Sequence, residues 1–427
     1  MRRRILFAFL VFFLPLSMVF PQDAAIGGQL PKWRKGWLDI HFINTGRGNC
    51  TYIVCPDGTT MMIDIGALES KGFARKYAPM RVSPPFPDSV ETVAKVVADY
   101  IEKMQAGQDK GIDYFLVTHF HGDHYGTVSD DCPLDPKGGY RLTGVTELQN
   151  YCPIRKLIDR GYPNYDFPFQ MRDRKKEDGA IADPTFNNYL QFADYQQRQK
   201  NITMEGFAVG SRSQFALVNA PKDYPGFYIQ NIKAGNKIWT GEGNATKELF
   251  PLGVMTLKNY NENPLSCAIV LHYGNFSFFS GGDNTGLHDP DHEQWEDVET
   301  PMAPLVGNVS AMSLDHHGNR DATNLTFLSA LDPQVVISQS WCSDHPGQEV
   351  GHRLISKNVG THTREIYMTH LDPLTSVGIG CWFERNMAGK LGHYVIRVYP
   401  DSSFIVYTLD CTTHQPTITA ISKLHHS

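Results

Sequence analysis

Beyond its first residues, this 427-residue chain lacks any apolar stretch that reads as a membrane anchor. Crossing a bilayer takes about 20 apolar residues, and the run from Ile5 to Phe20 is shorter and broken at Pro15. It follows Met1-Arg2-Arg3-Arg4, and a basic start ahead of a short apolar run is the pattern of a secretory leader. Residues 1–22 are therefore expected to be a signal peptide, cut between Ser17 and Ala25, which leaves a secreted or periplasmic chain with no stable membrane anchor. No cysteine stands close behind the apolar run, so lipid attachment at a new N-terminal cysteine is not supported.

Positive charge is also scarce. Lys and Arg total 39 against 45 Asp and Glu, a formal charge of −6 that becomes −9 once Arg2, Arg3 and Arg4 leave with the leader. Sequence-independent binding of nucleic acid needs clustered cations that release counterions, so this balance disfavours nucleic acid as a partner. The one dense basic run, Arg172-Asp173-Arg174-Lys175-Lys176, is offset at once by Glu177 and Asp178. No zinc-ribbon pattern of paired Cys-x-x-Cys is present among the eight cysteines. In an exported chain those cysteines could form disulfides, with Cys132 and Cys152 the most suggestive pair. Cys50 and Cys55, at odd separation on one strand, face opposite sides and should not pair with each other.

A short internal repeat is likewise missing, and disorder is not indicated. The chain is 41% hydrophobic and 20% charged, ample for a large core. One layered domain is expected over 32–410, with an irregular insertion near 129–213 and a tail over 411–427. Strand patterns occupy 37–43, 51–54 and 60–65, and helical periodicity runs from Asp88, as N-cap, to Met104. Asp183-Pro184 opens a helix to Gln199. Further strands are expected at 214–218, 226–232, 254–257, 267–272, 276–280, 309–314, 335–338, 394–399 and 403–409, and further helices at 322–331 and 349–357. The aromatic loop from Tyr162 to Phe169 either lines a cleft or packs the insertion onto the core.

What is present is concentrated at strand ends. Thr118-His119-Phe120-His121-Gly122-Asp123-His124 follows the apolar run 112–117, placing three imidazoles and a carboxylate within six residues. Neutral imidazole is the commonest protein ligand for zinc, and alternate spacing lets His119 and His121 converge on one ion from a turning loop. Asp64, Asp283 and the pair His316-His317 each end another apolar run. Groups held at the ends of buried strands can gather in one cleft.

Together these residues resemble the metallo-β-lactamase superfamily and, within it, the hydrolase domain of the competence protein ComEC. The resemblance rests on Asn44-Thr45-Gly46-Arg47-Gly48-Asn49, Ile63-Asp64-Ile65-Gly66, the histidine cluster, Ser280-Gly281-Gly282-Asp283, Asp315-His316-His317-Gly318-Asn319 and Ser343-Asp344-His345-Pro346. It implies a four-layer αββα sandwich with one or two divalent ions at the sheet edge, zinc or alternatively manganese. His119 and His121 would hold the first ion, Asp123 and His124 the second. Asp283 would bridge them, one of His316 and His317 would complete the second site, and Asp64 would orient a ligand. The superfamily usually supplies a further first-site histidine, yet none lies between Tyr125 and Leu271. His345 could substitute for it; His272, inside a strand, reads as a packed residue.

The expected activity is hydrolysis of a phosphoester, a phosphodiester by the ComEC-like resemblance, with Asp123 or Asp283 orienting the attacking water. The alternatives are attack on a lactam or lactone carbonyl at the same ions, and a non-catalytic exported protein that binds a glycan or cell-wall fragment. The sequence leaves oligomeric state open.

Overall fold

The computed structural model describes residues 24–105, 111–177, 182–286 and 293–427. The expected leader, 1–22, lies outside them. Six strands open the chain: β1 (Leu38–Phe42), β2 (Thr51–Val54), β3 (Thr60–Ile63), β4 (Ile112–Leu116), β5 (Ile154–Asp159) and β6 (Thr203–Gly206). Nine follow in a second sheet: β7 (Phe227–Ala234), β8 (Lys237–Trp239), β9 (Thr246–Glu248), β10 (Ala268–Tyr273), β11 (Phe276–Ser280), β12 (Ala311–Ser313), β13 (Val335–Ser338), β14 (Glu365–Met368) and β15 (Met387–Gly389). The chain then returns to the first sheet as β16 (His393–Val398), β17 (Ser403–Leu409), β18 (Ile418–Ile421) and β19 (His425–His426). The first sheet runs β18-β17-β16-β1-β2-β3-β4-β5-β6, and the second β15-β14-β13-β12-β11-β10-β7-β8-β9.

Both sheets change character midway. β1 to β3 and β16 to β18 pair antiparallel, whereas β3, β4, β5 and β6 are parallel. In the second sheet β11 to β15 are parallel. Parallel neighbours share a direction, so the C-terminal ends of β3 and β4, and of β11, β12 and β13, each gather at one edge.

The helices are α1 (Ser70–Lys76), α2 (Val93–Met104), α3 (Gly122–Tyr125), α4 (Val145–Leu148), α5 (Pro184–Arg198), α6 (Glu299–Val306), α7 (Leu325–Leu331), α8 (Gln348–Ile355), α9 (Pro373–Ile379) and α10 (Cys381–Glu384). α2 and α5 bury Val97, Ile101, Phe186 and Phe192 against the outer face of the first sheet. α6, α7 and α8 bury Met302, Phe327 and Leu354 against the second. Between the sheets, Ile40, Phe42, Ile63 and Leu116 meet Ile269, Phe278 and Ile337, with Phe42 edge-on to Phe278 at 5.7 Å. This is the αββα sandwich.

Local chemistry moves several expected boundaries. Thr92, not Asp88, caps α2 by accepting the Lys95 N–H, because the Asp88 side chain is spent on the Val90 N–H at 2.7 Å. Asp183 does cap α5. The runs 214–218 and 254–257 are not strands: the Gln214 side chain ties down the Ala208 N–H and Asn259 that of Thr256, both in loops. Short apolar runs do not by themselves separate strand from buried loop. Residues 129–213, expected as an insertion, supply β5 and β6 of the first sheet, and 411–427, expected as a tail, supplies β18 and β19. Among the described residues no cysteine pair is joined, Cys132 and Cys152 included, and no helix is long and apolar enough to cross a membrane.

Candidate metal centre

Four strand ends meet at one edge of the sandwich. Asp64 leaves β3, the histidine cluster leaves β4 and turns into α3, Asp283 follows β11, and His316-His317 follow β12. Two groups of donor atoms result, each with its members within 4.8 Å of one another: His119, His121 and Asp283, and Asp123, His124, Asp283 and His317. Asp283 belongs to both. The backbone had to be bent to bring this about, since Asp64, His316 and His317 all sit at positive φ (60°, 46° and 56°), a region costly for side chains with a Cβ and concentrated at functional sites. Gly48, at φ +130°, sits where any Cβ would fall 1.9 Å from the Asp123 carbonyl oxygen, so only glycine lets the 44–49 loop pass under α3.

Hydrogen bonds fix which ring nitrogens are available. His124 Nδ1 donates to Asp64 Oδ2 at 2.7 Å, and Asp64 is itself held by the Thr118 N–H at 2.8 Å and the Thr118 hydroxyl at 2.7 Å. That leaves the lone pair of His124 Nε2 facing Asp283 Oδ1 at 3.0 Å. Both atoms are buried and have no hydrogen-bond partner. A lone pair against an anionic oxygen is repulsive unless a proton or a metal ion lies between them, and because further carboxylate and imidazole donors converge on the same point the residues fit a metal ion. His317 is turned the same way: its Nδ1 donates to the Gln339 carbonyl at 3.1 Å, and its Nε2 lies 3.0 Å from Asp123 Oδ2 and 3.5 Å from Asp283 Oδ2, although it also accepts the Trp341 indole N–H at 3.1 Å. His119 Nε2 is 3.1 Å from His121 Nδ1 and 3.6 Å from Asp283 Oδ2.

The carboxylates and His119 agree with this geometry; at His124 and His317 burial is outweighed by the neighbouring carboxylates, which raise both imidazoles and so call for positive charge at the centre. Burial alone would raise the Asp283 carboxyl, but His124, His317, His119 and His316 outweigh it and hold it well below the usual range. Asp123 is also lowered, burial being outweighed by His124 and His317. Burial pushes His119 well below the ordinary imidazole value, which favours the neutral, ligating form.

Two of the expected residues stand elsewhere. His316 belongs to neither donor group: its Nδ1 lies 2.6 Å from Asp321 Oδ1, its Nε2 meets the Asn263 amide at 3.1 Å, and its Nε2 is 3.9 Å from Asp283. His345 does not reach His119 and His121. It stacks on the His317 ring at 4.7 Å, with Trp341 edge-on to both, and burial lowers it to about 3. His272 is packed in β10 against Tyr228, as expected.

Other supports carried no signal in the sequence. Glu262 accepts the Phe120 N–H at 3.1 Å, between the two first-group histidines, and is gripped by Arg160 Nε and Nη2, both at 2.6 Å, and by the Tyr260 hydroxyl. Arg160 in turn donates to the carbonyl of Phe167, so the aromatic loop 162–169 packs behind the site. The buried Lys233 ammonium binds the carbonyls of Pro264 and Ser266 and the Asn284 side chain, and the Ser266 hydroxyl accepts the Asp283 N–H at 3.1 Å. These contacts join residues more than 100 apart in some cases, which no local pattern can show. Above the donors opens a cavity of about 670 Å³, walled by Phe73, Tyr77 and Trp341 and floored by Asp123, Asp283 and His317.

Residues 43–130 match the family described as Metallo-beta-lactamase superfamily. Curated proteins give no match. Among solved structures, a protein described as a metal-dependent hydrolase from Parabacteroides distasonis is 13% identical, over 82% of this chain and 100% of that one, with TM-score 0.34. Zn²⁺-bound PqqB from Methylobacterium extorquens is 9% identical, over 84% and 99%, with TM-score 0.33. A diphosphatase of the PhnP family is 10% identical, over 78% and 95%, with TM-score 0.31. At such scores the fold reading rests on the sheet order and the family match.

Proposed function

We propose that this chain, whose residues 43–130 match the metallo-β-lactamase superfamily, is an exported metal-dependent hydrolase that cleaves a phosphodiester. The observation that carries the reading is Asp283, one carboxylate common to two donor groups. Such sharing suits two ions held close together, and a two-ion clamp suits in-line displacement at phosphorus. His119 and His121 would hold one ion, and Asp123, His124 and His317 the other, with Asp283 between them. Imidazole-rich donor sets favour zinc, with manganese the alternative. When bound, the ions supply Lewis acidity that brings the pKa of water toward neutrality and offsets charge on the reacting oxygens.

The protein's own part is orientation and proton handling. Asp64 keeps the proton of His124 on Nδ1, and the Gln339 carbonyl does the same for His317, so both Nε2 atoms face the centre. Asp123 and Asp283, held anionic, can orient the attacking water by accepting its hydrogen bond. Lys76 and Asn319 line the cavity as donors for the non-reacting phosphoryl oxygens. The finer kinship with ComEC-like hydrolases is part of this proposal and rests on the motifs around His316 and His345.

Purified protein should hydrolyse bis-p-nitrophenyl phosphate in preference to a chromogenic lactam, and His121→Ala should abolish that turnover. Preferential cleavage of the lactam would instead support attack on carbonyls, and turnover untouched by a chelator would end the metal reading.

A further inference from the structure

The cleft mouth and the depression beside it are built from two segments distant in sequence. One is 70–87, which holds α1 and the turn after it; the other is 373–383, which holds α9 and the start of α10. The loop 341–344 ties them together: Val82 pairs with Cys342, the Arg81 N–H donates to the Ser343 hydroxyl at 3.0 Å, and the Thr375 hydroxyl donates to the Ser343 carbonyl at 2.7 Å.

This rim inverts the charge of the molecule. In a chain with net charge −6, the two segments hold Lys71, Arg75, Lys76 and Arg81 and not one Asp or Glu. All four cations are exposed. The acids at the margins are engaged: Glu69 caps α1 through the N–H groups of Lys71 and Gly72, Asp372 caps α9, Glu384 at the end of α10 pairs with Lys390 at 2.7 Å, Asp88 meets His414 at 3.0 Å, and Glu349 faces Arg320 at 3.7 Å. Asp344 sits beside His345 inside the cleft. The same rim exposes apolar tips, Tyr77 at 41%, Met80 at 37%, Leu374 at 43% and Val377 at 80%. Met80 and Leu374 line one depression that adjoins the main cavity, which Tyr77 and Met80 also wall.

Cations on one segment, beside exposed aliphatic and aromatic tips carried by both, match a surface that is anionic at its face and apolar just beneath it. A soluble polyanion would satisfy the cations and leave Val377 and Leu374 in water. We infer that this rim docks on an anionic lipid surface, and that the scissile phosphodiester is carried by a lipid headgroup presented at the cleft. The inference rests on the phosphodiesterase reading and names the substrate class for the same site.

Binding to vesicles of phosphatidylcholine, and of equal parts phosphatidylcholine and phosphatidylglycerol, tests it. Wild type should sediment with the anionic vesicles only, lose binding as salt rises, and release a water-soluble product from them. Lys71→Gln/Arg75→Gln/Arg81→Gln should weaken vesicle binding roughly tenfold or more, and Val377→Ser several-fold with the salt dependence kept. None of these side chains lines the cavity, so hydrolysis of bis-p-nitrophenyl phosphate should be unchanged and reports that the fold is intact. Wild type and variants share one N-terminus, which cancels any contribution of residues 1–22. Equal binding to neutral vesicles, indifference to the triple variant, or stronger binding to single-stranded DNA or heparin than to vesicles would overturn the docking face. Hydrolysis of the soluble diester without release from vesicles would overturn the lipid substrate and spare the function. Vesicle binding by a protein that cleaves no diester would do the reverse.

Discussion

Asp64 makes no claim on an ion itself, yet it decides which nitrogen of His124 is free to bind one. Removing such a support typically lowers metal affinity roughly 10–100-fold. Asp64→Ala should therefore show that loss in a metal titration while the other ligands stay in place. The neighbouring pair separates in the same experiment. His317→Ala should lower the metal content of purified protein, because His317 belongs to a donor group, whereas His316→Ala should leave it unchanged. Retention of full metal content by His317→Ala would reverse their roles. Sequence could not divide these two residues. Adjacent histidines look alike until the chain turns, and here both turn through the left-handed region, sending one ring to Gln339 and the other to Asp321.

At the scale of single elements, β1 and β16 carry two imidazoles that burial keeps neutral. His393 is lowered to about 3 and His41 to about 4, in each case mainly by desolvation. His393 Nδ1 accepts the Asn44 N–H at 3.0 Å, and His41 Nδ1 meets the Tyr100 hydroxyl at 3.0 Å. Depressed folded values mean that the unfolded chain takes up these protons first. Their stabilisation is present above the unfolded value of 6.5 and is lost as pH falls toward 4 and 3. By pH 5 each should cost about 2 kcal/mol, visible as a drop in urea midpoint that His393→Asn partly removes. The clamp behind the histidine loop gives a second test. Glu262→Gln leaves the buried Arg160 guanidinium without its counter-charge and should cost about 3–5 kcal/mol in chemical unfolding.

The elements themselves were unevenly legible. β2, β11, β13 and β17 fall where their apolar runs place them, because a strand buried on both faces announces itself. β5 and β6 were hidden, since Arg155, Lys156 and Glu205 interrupt their apolar pattern near the end of the sheet. The cluster at 119–124 could be read because its ligands are sequential. The basic rim could not, because four cations spread between Lys71 and Arg81 form no dense run.

For the molecule as a whole, the last residues are part of the structure that holds the fold closed. β18 and β19 pair with β17, Ile418 is fully buried, and Gly27 and Gly28 exchange hydrogen bonds with Ile418. Ending the chain after Asp410 should lower the melting temperature by several degrees, since the burial of Ile418 alone represents about 1.5–3 kcal/mol. An unchanged melting curve would mean that the C-terminal strands are dispensable.

The donor atoms are also divided between the two sheets: Asp123 and the cluster histidines hang from the first, Asp283 and His317 from the second. A cation seated there is a rivet through the sandwich. Loading it should slow hydrogen exchange at the ends of β4 and β12 together, and stripping it should let the halves breathe apart, so that catalytic readiness and mechanical cohesion rise and fall as one quantity.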